Sequence, residues 1–364
     1  MQSDEEPDMD EPLPLAERIQ PAAAVGSGRG LGRSRGKAIR MAGALLTSPD
    51  GQAWSRTPPV GIGQRPAHNI LRHAPGITNW ACNRIQDIVS SFQLIFSNDM
   101  LETVLHETNR EGRRAQPEFR EVSVSEMTAF LGLLILRGVY RSHNESVDEL
   151  WDKDHGRPVF QKTMNLFRFR EILRHLRFDN RETRAARQAR DKLAAMRLLL
   201  DGLVNNSQKA YWPGVEHGSV TVDEQLYPFR GRCRYIQYIP SKPAKYGLKF
   251  WALCDSTTRY CWNIEMYTGR DDRRDVPLGS HVVLQLANGL NGSGINITMD
   301  NFFSSLALAR ELRTRGMTLL GTVKHNKREV CTLQCTLYTY HVHVHVQIFV
   351  IGYEFCFVAY LGSY

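Results

Sequence analysis

The sequence lacks several features that would place the protein outside the cell or in a membrane. No apolar run reaches the ~20 residues that a helix needs to span a bilayer. The longest candidate, residues 348–361, is short and contains Glu354. The seven cysteines have no regular spacing, which argues against a disulfide framework and for a reducing compartment. The N-terminus is acidic rather than basic and apolar, so we expect no secretory signal.

What the chain does contain is typical of a globular protein with a basic balance. It has 364 residues, 42% of them hydrophobic, and a formal net charge of +8. This length is enough for one large domain or two ordinary ones. The positive balance leans weakly toward polyanionic partners such as nucleic acid. Nothing in the composition indicates a small-molecule substrate.

The composition divides the chain into four segments. Residues 1–68 are predicted to be disordered, because an acidic head precedes a Gly/Arg stretch at residues 26–37. That stretch is interpreted as a solvated linker, with phosphate contact or nuclear import as the alternatives. Residues 69–212 are predicted to be mostly helical, residues 213–330 to form an α/β core, and residues 331–364 to form an apolar tail.

Apolar periodicity supports the helical prediction. Steps of three and four residues predict one helix through Trp80, Ile85, Ile88, Val89, Phe92 and Phe96, and another through Phe160, Met164, Phe167, Phe169, Ile172 and Leu176. Ser123 and Glu126 have the spacing of a capping box, which predicts a helix start before the apolar run at residues 130–136. Residues 193–203 continue the helical period after a charged stretch at residues 181–190.

After Pro213 the pattern changes to short β-branched and aromatic runs. Strands are predicted at residues 219–226, 235–239, 248–255 and 261–267. A helix (282–287), a strand (295–300), a helix (305–313) and a strand (317–323) follow. Antiparallel strands followed by a β-α-β unit predict an α/β fold with a mixed sheet and flanking helices.

Two aspartates end apolar strand patterns. Asp223 follows residues 220–222, and Asp300 follows residues 295–299. Carboxylates on neighbouring strands can converge on Mg²⁺, which prefers hard oxygen ligands. Two such ions about 4 Å apart can activate the attacking oxygen of a phosphodiester reaction and stabilise the leaving one. Strand-end aspartates are also common as helix caps and loop residues, so the pattern alone leaves both interpretations open.

A cationic stretch follows Asp223. Residues 225–254 contain no acidic residue. They do contain six basic residues, namely Arg230, Arg232, Arg234, Lys242, Lys245 and Lys249. Aromatic residues are interleaved with them, and aromatic faces can stack on bases while cations neutralise phosphates. The six are therefore candidate DNA-binding residues. The alternative for each one is a solvated sheet face.

Three blocks resemble the piggyBac transposases and the proteins domesticated from them. They are TVDEQLYPFRGR (221–232) with YIPSKPAKYGLKFW (238–251), ITMDNFFSSLALARELRTRG (297–316) and GTVKHNKREV (321–330). The resemblance covers roughly residues 69–330. It implies a ribonuclease-H-like catalytic fold of the DDE/D class, with Asp223 and Asp300 as the first and second catalytic, metal-binding aspartates. It also implies Mg²⁺ (or Mn²⁺) as cofactor, double-stranded DNA as partner, a homodimer and a location in the nucleus.

The family pattern requires a third aspartate that this sequence lacks. The acids after Asp300 are Glu311, Glu329 and Glu354, and none of them matches the family position. The cysteine-rich zinc-binding segment of many family members is also missing, so no zinc site is expected. We therefore expect a core that is incomplete at its C-terminus.

The last segment, residues 331–364, contains no Lys, Arg or Asp. Its alternating His341, His343 and His345 suggest a metal site, but histidines on one strand spread along it and rarely close a tetrahedral site. A membrane anchor is also disfavoured. The preferred hypothesis is that this segment is not family sequence and arose by intron read-through, a frameshift or a gene-prediction error.

Three functions remain open from the sequence. The chain is a metal-dependent transposase or its remnant, a non-catalytic DNA-binding protein derived from one, or an inert fragment. The ancestral role that the resemblance implies is cleavage and strand transfer at transposon ends. Loss of the third aspartate is expected to impair that role.

Overall fold

The computed structural model of this protein describes residues 46–51, 53–54, 70–142, 144–269, 276–324, 327–329, 345–351 and 354–360. The His341 and His343 predictions lie outside these residues, as does most of the segment predicted to be disordered. Within that segment, β1 (Leu46–Thr47) and β2 (Ala53–Trp54) pair as a short antiparallel ribbon. At these few residues the structure therefore differs from the predicted disorder.

A helical part occupies most of the chain before the main sheet. Its helices are α1 (Asn79–Cys82), α2 (Ile88–Ile95), α3 (Asn98–Ala115), α4 (Val124–Val139), α5 (Val147–Leu150), α6 (Pro158–Thr163), α7 (Leu166–His175), α8 (Arg181–Gln188) and α9 (Arg197–Ala210). Their shared core contains Met127, Phe130, Leu133, Phe160, Phe169 and Ile172, all buried. The predicted capping box is present, because the Glu126 N–H donates to Ser123 Oγ over 3.1 Å and the Ser123 N–H donates to Glu126 Oε2 over 3.2 Å.

Two of the predicted helices are interrupted. The first breaks between α1 and α2, where the Asp87 carboxylate accepts the Ser90 N–H and starts a new helix. As a result Ile88 is 88% exposed, although its spacing predicted a buried position. The other breaks at Asn165, whose side chain accepts the Phe167 N–H and caps α7. At each break a side-chain cap starts a new helix, although the apolar period continues across that position.

A mixed sheet forms the second part. Its strands are β5 (Ser219–Pro228), β6 (Ile236–Tyr238), β7 (Tyr246–Asp255), β8 (Cys261–Met266), β9 (Asn296–Met299), β10 (Thr318–Val323), β11 (His345–Ile351) and β12 (Glu354–Tyr360). Across the described residues the strand order is β12-β11-β10-β9-β5-β7-β6, with β8 also paired to β7. The β5, β9 and β10 strands are parallel, and the other pairings are antiparallel.

Helices cover both faces of this sheet. Two helices and a 3-10 turn follow β8, namely α10 (Leu278–Leu286), the turn Asn288–Leu290, and α11 (Leu306–Thr314). On one face, α10 and α11 pack against Val220, Val222, Leu253 and Ile297 in a core of fully buried side chains. On the other face, Leu193 and Leu200 pack against Phe250 and Met266. The predicted mixed sheet with flanking helices is confirmed.

The helical part is tied to the sheet where the two meet. β3 (Gly76–Ile77) pairs with β4 (Tyr211–Trp212), which directly follows α9. The Trp262 Nε1–H then donates to the Tyr211 carbonyl over 3.1 Å. These bonds link α9 to the first antiparallel strands of the sheet. No helix in the described ranges is both long and apolar enough to cross a membrane.

Candidate functional site

The two predicted aspartates lie on neighbouring parallel strands. Val222 on β5 and Met299 on β9 are partners in the ladder. Asp300 directly follows the end of β9, as predicted, whereas Asp223 lies within β5, which continues to Pro228. Adjacent strands are about 4.8 Å apart, which brings the two backbones within one strand spacing. Val222 and Met299 face the core, whereas both aspartates are exposed. The tertiary structure therefore brings together two carboxylates that are far apart in sequence.

Local hydrogen bonds position each carboxylate. Asp223 Oδ1 accepts the Glu224 N–H over 2.7 Å. Asp300 Oδ1 accepts the Phe302 N–H over 2.9 Å, while Ser304 Oγ donates to the Asp300 carbonyl over 2.8 Å. The turn after β9 is thus held by hydrogen bonds to both the side chain and the backbone carbonyl of Asp300. Among the described residues, neither aspartate forms an ion pair with Lys or Arg, which leaves oxygen atoms open to a cation.

The later acids occupy other places in the fold. Glu311 on α11 accepts from Arg315 Nε over 2.8 Å. Glu329 accepts the Leu306 N–H at the start of α11 over 3.3 Å. Glu354 pairs with Ile351 at the β11–β12 turn, at the end of the sheet opposite the carboxyl end of β10. The described residues contain no group of three or more side chains that would hold a metal ion.

One acid next to the site escaped the sequence prediction. Glu224 lies just before the acid-free stretch and pairs with Lys249 Nζ at 2.6 Å and with Lys242 Nζ at 3.6 Å. Burial raises the pKa of Glu224, but the bonds from Lys249 and Lys242 outweigh burial and hold that pKa below its usual range. Two of the six predicted DNA-binding cations are therefore paired within the protein, and Glu224 compensates one of their two positive charges. The signal in the sequence is the position of Glu224, directly before the acid-free stretch at residues 225–254.

The other four predicted cations are exposed and flank β6. Arg230, Arg232 and Arg234 lie on the segment between β5 and β6, and Lys245 lies just before β7. We call residues 229–245 the cationic hairpin. None of these four forms an ion pair with another described residue, while Arg234 stacks on the Tyr235 ring with 4.8 Å from its Cζ to the centroid. Four exposed aromatic rings lie in the hairpin or next to it, namely Tyr227, Phe229, Tyr238 and Tyr246.

A buried carboxylate that the sequence did not single out is Asp255, at the end of β7. It is 1% exposed and accepts N–H groups from Gly214 at 2.6 Å, Thr258 at 2.8 Å and Thr257 at 2.9 Å. Burial raises the pKa of Asp255, but these backbone donors outweigh it and keep that pKa below its usual range. Asp255 pairs in register with Val220, at the opposite end of the β5 ladder from Pro228. Its partners make it an anchor between the helical part and the sheet rather than a metal ligand.

Comparison with known proteins identifies related sequences. A family model described as Transposase IS4 matches residues 88–357. The human PiggyBac transposable element-derived protein 2 is 26% identical over 286 residues, which are 71% of this chain and 45% of that protein. The human PiggyBac transposable element-derived protein 3 is 28% identical over 209 residues, 55% of this chain and 34% of that protein. The chain spans less than half the length of either relative.

A solved structure has the same fold. The cryo-EM structure of a piggyBac transposase synaptic complex with hairpin DNA matches with a TM-score of 0.69 and 31% identity. The match covers 78% of this chain and 62% of that chain. It confirms the predicted ribonuclease-H-like fold class. The family match also includes residues 331–357, most of the apolar tail. The separate origin of that tail stays a prediction.

Proposed function

This chain belongs to the piggyBac transposase family, and on that basis we propose that it binds double-stranded DNA and retains part of a strand-cleaving site at Asp223 and Asp300. The observation that carries this proposal is the register of β5 and β9, in which the two aspartates follow a matched Val222–Met299 pair. The solved relative was captured with hairpin DNA, which supports DNA as the partner. We also propose a homodimer, in keeping with that synaptic complex, and a location in the nucleus, where a DNA-binding protein meets its partner.

The two aspartates fit a divalent cation such as Mg²⁺ or Mn²⁺. Both are exposed and present carboxylate oxygens, the hard ligands that Mg²⁺ prefers. One or two carboxylates are its usual protein ligands beside water and phosphate oxygens. When bound, the ion supplies positive charge at the phosphodiester and lowers the cost of activating the attacking oxygen. Asp223 and Asp300 would hold it, each oriented by its backbone hydrogen bond.

Two carboxylates support a pair of ions poorly, so we expect these 364 residues by themselves to cleave DNA weakly. Within these 364 residues Glu311, Glu329 and Glu354 are the only acids after Asp300. In the structure Glu311 bonds to Arg315 and Glu329 bonds at the start of α11. The backbone of Glu354 lies at the far end of the sheet. We therefore favour a DNA-binding role over full transposition activity.

The cationic hairpin is the surface we assign to DNA. Its four exposed cations neutralise phosphates, and the bordering tyrosines offer faces for stacking. Lys242 and Lys249 contribute less, because they share the carboxylate of Glu224, which compensates one of their two charges. Phosphate contacts position the protein on the duplex without reading its sequence.

A cleavage assay tests the catalytic part of this proposal. Purified chain is incubated with a transposon-end duplex and Mg²⁺ or Mn²⁺, next to Asp223→Asn and Asp300→Asn. Asp201→Asn, which changes an exposed aspartate of α9, serves as the matched control. We expect weak cleavage that both site variants abolish and the control retains. Cleavage that survives both site variants would remove Asp223 and Asp300 from the mechanism.

A salt titration of duplex affinity tests the binding part. The triple variant Arg230→Ala, Arg232→Ala and Lys245→Ala is compared with Lys153→Ala, Lys162→Ala and Arg174→Ala, which removes three exposed charges from the helical part. Each lost phosphate contact reduces the slope of log affinity against log salt by about 0.9. We expect the hairpin variant to lose about 2–3 from that slope and the control to keep it. Equal slopes with both variants folded would remove the cationic hairpin from the DNA surface, whereas a folded parent chain without measurable affinity would favour an inert fragment.

A further inference from the structure

An exposed aromatic ring lies beside the two aspartates. Phe302 is two residues past Asp300 and 44% exposed, although most large apolar side chains of this part are buried. Its ring stacks on Trp251 with centroids 5.6 Å apart and planes 14° from parallel. Phe303 contacts it edge to face at 5.0 Å. These neighbours cover only part of Phe302, since 44% of the residue stays exposed.

The position of this ring is tied to the carboxylate. The Phe302 N–H donates to Asp300 Oδ1 over 2.9 Å, so the same residue fixes the acid and presents the ring. Trp251 is 2% exposed and forms a rigid support under it. Lys249 Nζ, which is paired with Glu224, is 3.9 Å from the Trp251 centroid and 5.6 Å from the Phe302 centroid, so an ion pair lies next to the stack. A ring held this way loses little conformational entropy when a flat ligand stacks on it.

We propose that Phe302 is a stacking platform for an unpaired base of the DNA strand that reaches Asp223 and Asp300. This rests on the proposed function and specifies its substrate at the site, namely a duplex end or nick with a frayed nucleotide. A fully paired duplex buries its base faces, whereas an unpaired base presents a π-face to an aromatic side chain. Stacking of this kind accepts any base, because every base has such a face.

Exposure alone does not carry the assignment. Phe167 on α7 is 78% exposed, but among its described neighbours no aromatic ring stacks beneath it and no strand-end aspartate lies two residues away. Phe302 differs in having the Trp251 support, the adjacent ion pair and the bond to Asp300. Phe167 is therefore a matched control for the loss of one exposed phenyl ring.

The test uses the full chain and two DNA probes. Both are the same duplex with 2-aminopurine at one 3′ end, and only one of them leaves that base unpaired. Fluorescence reports stacking of the base, and anisotropy reports affinity. Phe302→Leu removes the aromatic face, Phe302→Trp restores it, and Phe167→Leu is the control.

We expect the parent chain to quench the unpaired 2-aminopurine and to bind that probe about fivefold or more tightly than Phe302→Leu does. Phe302→Trp and Phe167→Leu should behave like the parent. Equal quenching by the parent and by Phe302→Leu, with both folded in a thermal melt, would overturn the platform. Affinity for the fully paired probe is a separate readout, since it depends on the cationic hairpin. If the parent chain does not bind the fully paired probe, the proposed DNA-binding function is rejected, and the platform with it.

Discussion

Glu111 offers the sharpest test of how the helical part is held together. This α3 side chain is 4% exposed and bonds to three arginines: Arg114 Nε at 2.7 Å, Arg177 Nη2 at 2.8 Å and Arg181 Nη1 at 2.7 Å. The three arginines lie on α3, on the segment after α7 and on α8. Glu111→Gln keeps the shape of the side chain and removes its charge. It should therefore loosen three elements at once.

The magnitude follows from the pKa of Glu111. The bond from Arg114, opposed by burial and helped by Arg181 and Arg177, lowers that pKa from 4.5 to about 2. A shift of this size corresponds to at most about 3.4 kcal/mol of folding stability. Arg114 and Arg181 are 44% and 51% exposed, so solvent screens the interaction. We therefore expect a loss of about 1–2 kcal/mol at neutral pH.

The sign of the pH dependence is fixed by the direction of the shift. Since the folded pKa lies below the unfolded one, the stabilisation is complete above about pH 4.5 and is lost as the pH falls toward 2. Urea unfolding of the parent and of Glu111→Gln at about pH 7, 5 and 3 measures this difference. Glu121→Gln is the control, because its ion pair with Arg113 is exposed on both sides and should be worth less than about 1 kcal/mol.

A clear result would refute this reasoning. If Glu111→Gln is no less stable than Glu121→Gln at neutral pH, the three arginine bonds contribute nothing beyond an exposed pair. If its deficit is unchanged between neutral and acid pH, the charge of Glu111 is not the cause.

Further changes test other parts of the structure. Asp255→Asn replaces one of the two buried acceptor oxygens by an NH2 group, so either the Gly214 N–H or the Thr258 N–H loses its partner, and the change should cost about 2–3 kcal/mol in urea unfolding. Ser123→Ala removes the cap of α4 and should cost about 0.5–2 kcal/mol by the same measurement. Gly247→Ala places a Cβ 2.2 Å from the Tyr227 carbonyl, so the β5–β7 ladder must shift, and thermal melting should show a loss of about 1–3 kcal/mol. Glu224→Gln releases Lys242, and should steepen the salt dependence of DNA affinity by up to about one contact. Unchanged stability or slope would contradict the assigned role in each case.

Sequence periodicity located the sheet well. The predicted strands at 219–226, 248–255 and 317–323 appear as β5, β7 and β10 with ends shifted by one or two residues. These runs combine β-branched residues with clear turn signals, so local preference and burial agree. The helix predicted at 282–287 begins instead at Leu278, because residues 278–281 carry little apolar period of their own.

The helical part was predicted less accurately. An apolar residue at helical spacing says nothing about whether another element covers it. Ile88, Phe92 and Phe167 fit the period and are nevertheless exposed. Their helices start at side-chain caps, at Asp87 and Asn165. The apolar period does not indicate these starts or which face of each helix is covered.

The sequence by itself determined the family, the position of Asp300 after an apolar strand, and the lack of an aspartate after Asp300 within these 364 residues. These properties are local, since each depends on residues that are neighbours in the chain. Only the tertiary structure decided that the two aspartates follow a matched pair on parallel strands. It also showed that Glu224 pairs with Lys242 and Lys249, and that Trp251 supports an exposed Phe302 beside Asp300. Ladder register, ion pairing and stacking join residues distant in sequence, and folding alone sets those distances.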